Sequence, residues 1–247
     1  MCLILFAWRT HPEYPLVLAA NRDEFYARPT APMDFWGEAP HLLAGRDLRE
    51  GGTWFGVTRD GRMAAVTNYR DPSQVRSGAP SRGRLVSDYL LGEHGAEDYL
   101  RHLQEQASAY NGFNLLLGEG GALHYYSNHG TEPRRLAPGV YGLSNHLLDT
   151  PWPKVRRGKE ALAAWLDAAI PDPEALLALL ADDTLAADAE LPRTGVSLEW
   201  ERRLSPIFIR SADYGTRSST VLLRDRRGRV RVWERNYPTG ETRFFAW

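Results

Sequence analysis

The sequence predicts an α+β protein in which helices lie outside two stacked antiparallel sheets. Strand-like apolar runs occur near both ends and in the middle of the chain, two pairs of amphipathic helical segments separate them, and tight turns join most neighbouring strands. The composition is typical of a globular protein, with 43% hydrophobic and 25% charged residues, and no interior segment resembles a linker. We therefore predict a single domain over residues 1–247.

The first 24 residues are predicted to form a buried hairpin. Two apolar runs flank a connection that contains Pro12 and Pro15, and a central strand excludes proline. Antiparallel pairing brings the start of the first strand next to the end of the second. Cys2, the only cysteine in the sequence, is thus expected close to Asn21 and Asp23.

Position 2 gives this cysteine two possible roles. A small residue after the initiator methionine favours removal of Met1, which would place a free α-amine beside the thiol of Cys2. The amine titrates near about 8 and the thiol near about 8.5, so the amine can accept the thiol proton without a separate histidine. The alternative is that Cys2 is a small apolar residue in a core strand, where free cysteine commonly lies.

Between residues 25 and 68 we predict a long loop and then a hairpin. Pro29, Pro32 and Pro40 indicate that residues 25–40 form an ordered loop, which could cover a pocket. The next hairpin turns at Asp60 and Gly61, because Asp-Gly between apolar runs is a strong turn signal.

Helical segments and further strands alternate in the rest of the chain. Each predicted helix has one apolar face, so we expect it to lie on a sheet. The predicted helices cover residues 81–91, 96–107, 158–169 and 173–181. The predicted strands cover residues 113–117, 123–126, 140–143, 207–210, 217–223, 230–235 and 241–247.

Composition and motif searches exclude several classes of protein. The net charge of −1 gives no general attraction to nucleic acid, and no run approaches the roughly 18 apolar residues of a membrane span. The sequence contains no nucleophile elbow, no Walker loop, no dinucleotide-binding glycine motif and no His-Glu-x-x-His pair. Without a signal peptide pattern, a cytoplasmic protein is the expectation, and its oligomeric state is open.

Two charged clusters are interpreted as solvated surface. The acidic cluster lacks the ligand spacing of a calcium loop, so we predict no metal site there. The basic cluster alternates with valines, which indicates one solvated face of a strand. The acidic residues are Asp182, Asp183, Asp188 and Glu190, and the basic ones are Arg224, Arg226, Arg227, Arg229 and Arg231.

Several short motifs resemble those of one family. In chain order they are Met1-Cys2, Asn21-Arg22-Asp23-Glu24, Gly51-Gly52-Thr53-Trp54-Phe55-Gly56, Thr67-Asn68-Tyr69-Arg70, Tyr141-Gly142-Leu143-Ser144-Asn145 and Tyr214-Gly215-Thr216-Arg217-Ser218-Ser219-Thr220. On these motifs the chain is identified as a member of the NRDE family, the group of the transport and Golgi organization proteins. That family in turn resembles the N-terminal nucleophile (Ntn) hydrolases of the choloylglycine hydrolase and penicillin V acylase type. The resemblance implies a four-layer αββα sandwich.

The resemblance to the acylases implies roles for individual residues. Cys2 would be the nucleophile, Asp23 would orient its α-amine, and Asn68 and Asn145 would donate to the oxyanion. Arg217 would match a late strand arginine of the acylases. The predicted substrate contacts are Asn21, Arg22, Trp54 and Tyr69.

The chain departs from the acylase pattern at one position. Ala20 stands where those enzymes have an arginine before the asparagine. Arg22 is one possible substitute, although neighbouring strand residues point to opposite faces. The departure affects the expected efficiency of amide hydrolysis and leaves the fold prediction unchanged.

Two functions from different classes follow from this reading. The first is a hydrolase or acyltransferase that uses an N-terminal cysteine to act on a carbon–nitrogen amide bond of a small molecule, with no cofactor and no metal. The second is a non-catalytic protein that binds and carries haem, acyl-coenzyme A or another lipid, with Cys2 or the tryptophans contacting the ligand.

Overall fold

The computed structural model describes residues 3–130, 132–168 and 171–247, and within them the chain divides into two compact units. One, the seven-stranded unit, comprises residues 28–136 and 145–147. The other, the six-stranded unit, comprises residues 3–27, 137–144 and 148–247. Cys2 lies outside the described residues.

Strands and helices of the described residues alternate along the chain much as predicted. The strands are β1 (Leu3–Trp8), β2 (Leu16–Phe25), β3 (Thr30–Trp36), β4 (Ala39–Asp47), β5 (Phe55–Thr58), β6 (Met63–Asn68), β7 (Phe113–Glu119), β8 (Ala122–Ser127), β9 (Arg134–Arg135), β10 (Gly139–Leu143), β11 (Tyr214–Arg224), β12 (Val230–Asn236) and β13 (Glu241–Ala246). The helices are α1 (Gly83–Leu91), α2 (Ala96–Gln106), α3 (Pro153–Leu166), α4 (Pro173–Leu179) and α5 (Leu198–Arg203).

The six-stranded sheet is antiparallel throughout, in the order β10-β1-β2-β11-β12-β13. Leu3 pairs with Asn21 and Trp8 with Leu16, so the predicted first hairpin is confirmed. Alternate residues of β1 and β2 pack with α3 and α4 in one apolar core. At Gly158, a Cβ atom would lie 2.6 Å from the Leu5 side chain, so a larger residue there would require Leu5 or α3 to shift.

The seven-stranded sheet is also antiparallel and follows chain order, β3 to β9. Helices α1 and α2 bury their apolar faces, including Leu85, Tyr89 and Leu100, against this sheet. The predicted turn at Asp60-Gly61 joins β5 to β6, and Gly61 adopts a φ of 88° that favours glycine. The α+β class and the two antiparallel sheets with their helices are therefore confirmed, while the single domain stays a prediction.

Residues 25–40 do not form the predicted loop. Most of them belong to the hairpin of β3 and β4. Pro32 misled the prediction because it is compatible with this strand: β3 lies at the edge of the sheet, and the pairing shifts between Ala31 and Asp34. Proline is tolerated at sheet edges and bulges, where its missing N–H group costs no ladder hydrogen bond.

Residues 207–210 were also predicted wrongly, as a strand. They form a buried connection before β11, and Ile207 and Ile209 are each 1% exposed. The backbone of this segment is bonded outside the sheet ladders, because Phe208 N donates to Asp182 O and Ile207 O accepts from the side chain of Asn21. An apolar run therefore indicated burial correctly and strand pairing incorrectly.

None of the helices that the structure describes has the length and apolar composition needed to cross a membrane.

The predicted helices correspond to α1 to α4 with shifted ends. The largest shift is in α3, which begins at Pro153, because proline at the first helical position has no N–H that needs a partner. Helix α5, capped by the Ser197 hydroxyl, was not predicted.

Candidate functional site

Polar side chains are buried at the end of β2 in the six-stranded unit. Asn21 is 0% exposed, and Arg22 and Asp23 are each 4% exposed. Buried polar groups are costly unless they are hydrogen-bonded, so such a group at one strand end requires dedicated partners. Because Leu3 pairs with Asn21, the beginning of β1 adjoins this polar strand end, as predicted.

Asp23 is held by Thr216, which lies opposite it on β11. The Thr216 hydroxyl donates to Asp23 Oδ1 at 2.6 Å and accepts the N–H of Ile209 at 2.9 Å. The N–H of Ile209 orients the Thr216 hydroxyl, and this hydroxyl in turn orients the Asp23 carboxylate. The sequence motif Tyr214 to Thr220 contains Thr216, but only the strand register shows which of its residues faces Asp23.

A β-bulge in β11 sets the position of Arg217. The pairing with β2 shifts between Thr216 and Ser218, which leaves Arg217 as the extra residue. Its Nη1 donates to the backbone oxygens of Phe25 and Tyr26, each at 3.0 Å, and the residue is 9% exposed. Bulges are common beside active sites, where they redirect a side chain. Arg217 is thereby hydrogen-bonded to the backbone of residues 25 and 26, shortly after Asp23.

Asn21 ties β2 to two other segments. Its Nδ2 donates to Leu180 O and to Ile207 O, each at 2.8 Å, and its Oδ1 accepts from Ser219 Oγ at 2.6 Å. Every hydrogen-bonding position of the amide is therefore occupied by protein, apart from one lone pair of Oδ1. Its predicted role as a substrate contact stays a prediction, and the geometry assigns it a positioning role.

Arg22 lies on the same face of β2 as Ala20, because the two are two positions apart, with only Asn21 between them. The alternation of neighbouring strand residues therefore does not separate Arg22 from the position of the missing arginine, and its role as a substitute stays a prediction. Both residues are buried, at 4% and 0% exposure. Whether Arg22 contacts substrate stays a prediction.

In the seven-stranded unit, Asn68 and Asn145 are brought together. Asn68 ends β6 with an exposed side chain, and its backbone oxygen accepts Asn145 Nδ2 at 3.0 Å. Arg70 fixes Asn145 further, since its backbone N donates to Asn145 O at 2.7 Å and its Nη2 lies 3.4 Å from Asn145 Oδ1. Their role as oxyanion donors stays a prediction.

Tyr69 forms a polar pair with His146 beside these asparagines. Its hydroxyl lies 2.8 Å from His146 Nε2, and its ring stacks on His129 with centroids 4.1 Å apart. Burial raises the pKa of Tyr69, as does the charge of Asp71, whereas burial and His129 lower the pKa of His146. At neutral pH the phenol is thus protonated and the imidazole neutral, a combination that can hold or pass one proton.

Asn114 organises the strand that supports this group. It is 0% exposed, donates to Thr67 Oγ1 and His146 O at 3.0 Å each, and accepts from Tyr125 at 2.8 Å. Sequence reasoning missed Asn114, and its signal was a single amide within the apolar run 113–117. It missed the Tyr69–His146 pair because the partners are 77 positions apart.

Trp54 packs within the seven-stranded unit. It is 6% exposed, and a Cβ atom at Gly45 would lie only 2.4 Å from its ring. Its predicted contact with substrate stays a prediction. Among the described residues, no group of three or more metal-ligating side chains is close enough to hold an ion.

Comparison with known proteins gives one family. The family model described as Transport and Golgi organisation 2 matches residues 1–239. The chain is 40% identical over 261 residues to the Transport and Golgi organization protein 2 homolog of Bos taurus, covering 96% of this chain and 93% of that protein. The Homo sapiens homolog is 38% identical over 258 residues, with the same coverage. Transport and Golgi organization protein 2 of Drosophila melanogaster is 33% identical over 187 residues, covering 68% of this chain and 66% of that protein.

The similar solved structures include one with low sequence identity. It is the Caenorhabditis elegans ortholog of N-acylethanolamine-hydrolyzing acid amidase, with a TM-score of 0.44 and 11% identity. The match covers 90% of this chain and 92% of that one.

Proposed function

The chain belongs to the Transport and Golgi organisation 2 family, and we propose that it is a hydrolase or acyltransferase that cleaves a carbon–nitrogen amide bond with the thiol of Cys2. The observation that supports this most is the buried Asp23 carboxylate, which Thr216 orients at the end of β2. Leu3 pairs with Asn21 on that strand.

The first half of the proposed reaction forms an acyl-cysteine. After removal of Met1, the α-amine of Cys2 takes the thiol proton, and the sulfur attacks the amide carbonyl carbon. The carbonyl electron pair moves to oxygen, for which the sequence resemblance assigns the amides of Asn68 and Asn145 as donors. When the carbonyl re-forms, the C–N bond breaks and the leaving nitrogen takes the proton from the α-ammonium. Asp23 orients the amine throughout.

The second half releases the acyl group. Water, or another nucleophile in a transferase, attacks the thioester while the α-amine accepts its proton. The C–S bond then breaks, and the proton returns to sulfur. The reaction balances without an oxidant, reductant, metal or cofactor.

Acylation by p-nitrophenyl acetate, followed by intact mass and peptide mapping, tests this proposal. Because Cys2 is the only cysteine in the sequence, a thioester adduct can form at one residue alone. We expect one acetyl group on a peptide that begins at Cys2 and its loss in neutral hydroxylamine, since hydroxylamine cleaves thioesters and spares amides. Retention of Met1, or acetylation that does not map to the peptide beginning at Cys2, would contradict the proposal.

Titration with haem, combined with an amide library screen, tests the carrier function. If amide turnover is absent across a compound library and a Soret band appears on addition of haem to the wild type but not to Cys2→Ala, a non-catalytic haem carrier is favoured. Binding of acyl-coenzyme A to the wild type but not to Cys2→Ala, without amide turnover, would favour a lipid carrier. Hydroxylamine-sensitive acylation favours the enzyme.

Replacing Asn68 by alanine is expected to slow acylation on the order of a hundredfold, because one oxyanion donor typically contributes that much. The fold should survive, since the side chain is exposed and the bond to Asn145 uses the Asn68 backbone oxygen. Stopped-flow release of p-nitrophenol measures the rate. Gln74→Ala removes a nearby exposed amide as the control. Equal rates in Asn68→Ala and Gln74→Ala would remove Asn68 from the proposed reaction.

A further inference from the structure

We infer that the six-stranded unit carries a second binding site, separate from the proposed reaction, for an organic phosphate. The site, here called the arginine groove, lies where the β1–β2 connection, the β11–β12 turn and Trp247 meet. It comprises Tyr14, Arg227, Arg229, Val230, Arg231 and Trp247.

Backbone hydrogen bonds fix the walls of the arginine groove. Arg226 N donates to Glu13 O at 3.1 Å, which joins the β11–β12 turn to the β1–β2 connection. Val230 N donates to Trp247 O at 2.9 Å, and Trp247 N donates to Val230 O at 3.1 Å. The three segments are therefore held in place before any ligand binds.

The groove consists of two adjoining cavities of different character. The smaller, about 290 Å³, is lined largely by arginines. The larger, about 500 Å³, has Val230, Ala246 and Trp247 in its walls. Tyr14, Arg229 and Arg231 line both. These volumes are those of small-molecule sites, and the arrangement places an apolar compartment directly beside a basic one.

The charge of the basic cavity is positive after its internal pairs are counted. Four arginines and two carboxylates line it, and one carboxylate, Asp225, is already bonded to Arg229 Nε at 2.6 Å. The backbone N–H groups of Arg227 and Arg229 also bind Asp225, at 2.8 and 3.0 Å. The Arg227 side chain makes no hydrogen bond or ion pair with the described residues. An anion is the ligand that this excess favours.

Arg231 is positioned for such a ligand by Tyr14. Its Nη2 donates to the Tyr14 hydroxyl at 2.7 Å, and its guanidinium lies 5.4 Å from the centre of that ring. One donor is thus used to orient the side chain, and a guanidinium has five. The sequence indicated only a solvated strand face for these arginines, whereas the structure arranges them around a concave surface.

The chemistry of the groove identifies a class of ligand. Guanidinium groups match phosphate oxygens in pairs, and Arg is the preferred side chain for this recognition. The aromatic and aliphatic walls beside them suit a flat or apolar group attached to the phosphate. A soluble phosphate ester and a phospholipid head group both offer this combination, so the test compares the two sources.

Calorimetric titration of the full chain with AMP, adenosine and inorganic phosphate tests the inference. We expect AMP to bind more tightly than phosphate, and adenosine to bind least. Arg229→Ala and Arg231→Ala should each weaken AMP binding about tenfold or more, the usual effect of losing a charged hydrogen bond. Arg235→Ala is the matched control, because Arg235 is on the same strand as Arg231 but pairs with Glu174.

Arg227→Ala distinguishes a loss of binding from a loss of folding. Arg227 is exposed in a turn, so its substitution should leave the fold intact. It should weaken AMP binding without changing stability. A parallel arm measures sedimentation with phosphatidylcholine vesicles that contain or lack phosphatidic acid. Arginine-dependent binding of AMP supports a soluble ligand, and arginine-dependent binding of the acidic vesicles alone supports a lipid head group. If all three arginine variants bind both probes as the wild type does, the inference is overturned.

Discussion

Cys2→Ala is expected to abolish amide cleavage, with a loss on the order of a thousandfold or more, because the proposed reaction has no other nucleophile. Alanine is also small, so removal of Met1 and the free α-amine should be retained. The variant therefore isolates the contribution of the sulfur. Turnover is measured with any amide that the wild type cleaves, and covalent labelling with p-nitrophenyl acetate.

Cys2→Ser is the matched control for this substitution. It keeps a nucleophilic group at the same position of the side chain, but a hydroxyl is a far weaker nucleophile than a thiol at neutral pH. We expect residual turnover above that of Cys2→Ala and below that of the wild type. Amide turnover that survives unchanged in Cys2→Ala would show that the proposed chemistry is wrong.

Asn21→Ala is expected to lower the free energy of unfolding by about 3 kcal/mol or more. The substitution leaves the backbone oxygens of Leu180 and Ile207 without their side-chain donor in a fully buried site. It also removes the acceptor of Ser219 Oγ. Each unsatisfied buried group costs about 1–3 kcal/mol, so the sum is a large part of the stability of a domain. Urea denaturation followed by circular dichroism measures the change.

Asn236→Ala provides the comparison for Asn21→Ala. Asn236 ends β12, and its side-chain oxygen accepts from the N–H and the hydroxyl of Thr239 in the adjoining turn, each at 3.2 Å. Its loss should cost no more than about 1 kcal/mol. Equal urea midpoints for the two variants would show that the Asn21 contacts contribute little to folding.

The hairpins were predictable because their signals are local. Gly61 supplies the left-handed conformation that its turn needs, and the two flanking runs pair with each other. Prolines near residues 12–15 marked the first connection correctly. Such features are set by neighbouring residues, so the sequence pattern contains the information required.

The errors arose where distant residues decide the structure. Pro32 is accommodated because β3 is an edge strand, and no local pattern states which strand lies at an edge. Residues 207–210 are apolar because they are buried, yet Asn21, almost two hundred positions earlier, binds their backbone. Burial without strand pairing could not be distinguished from a strand.

The candidate site was predictable in its residues and not in its contacts. The motif at Asn21 to Asp23 led to the family, which the comparisons confirm. Thr216 as the partner of Asp23 required the register of β11, which includes a bulge that no alternation of residues shows. Asn114 likewise gains its importance only when β6 and β7 are paired.

The extra residue in β11 decides which side chain of that strand lies opposite Asp23. The register between β11 and β2 shifts by one residue at Arg217. Thr216 meets Asp23 only because of this offset. In a regular ladder that continued the register of Ser218–Arg224, Arg217 would lie opposite Asp23, and Thr216 would lie opposite Glu24 on the other face of the sheet. The backbone bonds could all re-form while the carboxylate lost its donor, so the irregular ladder, and not the regular one, maintains the geometry of this strand end.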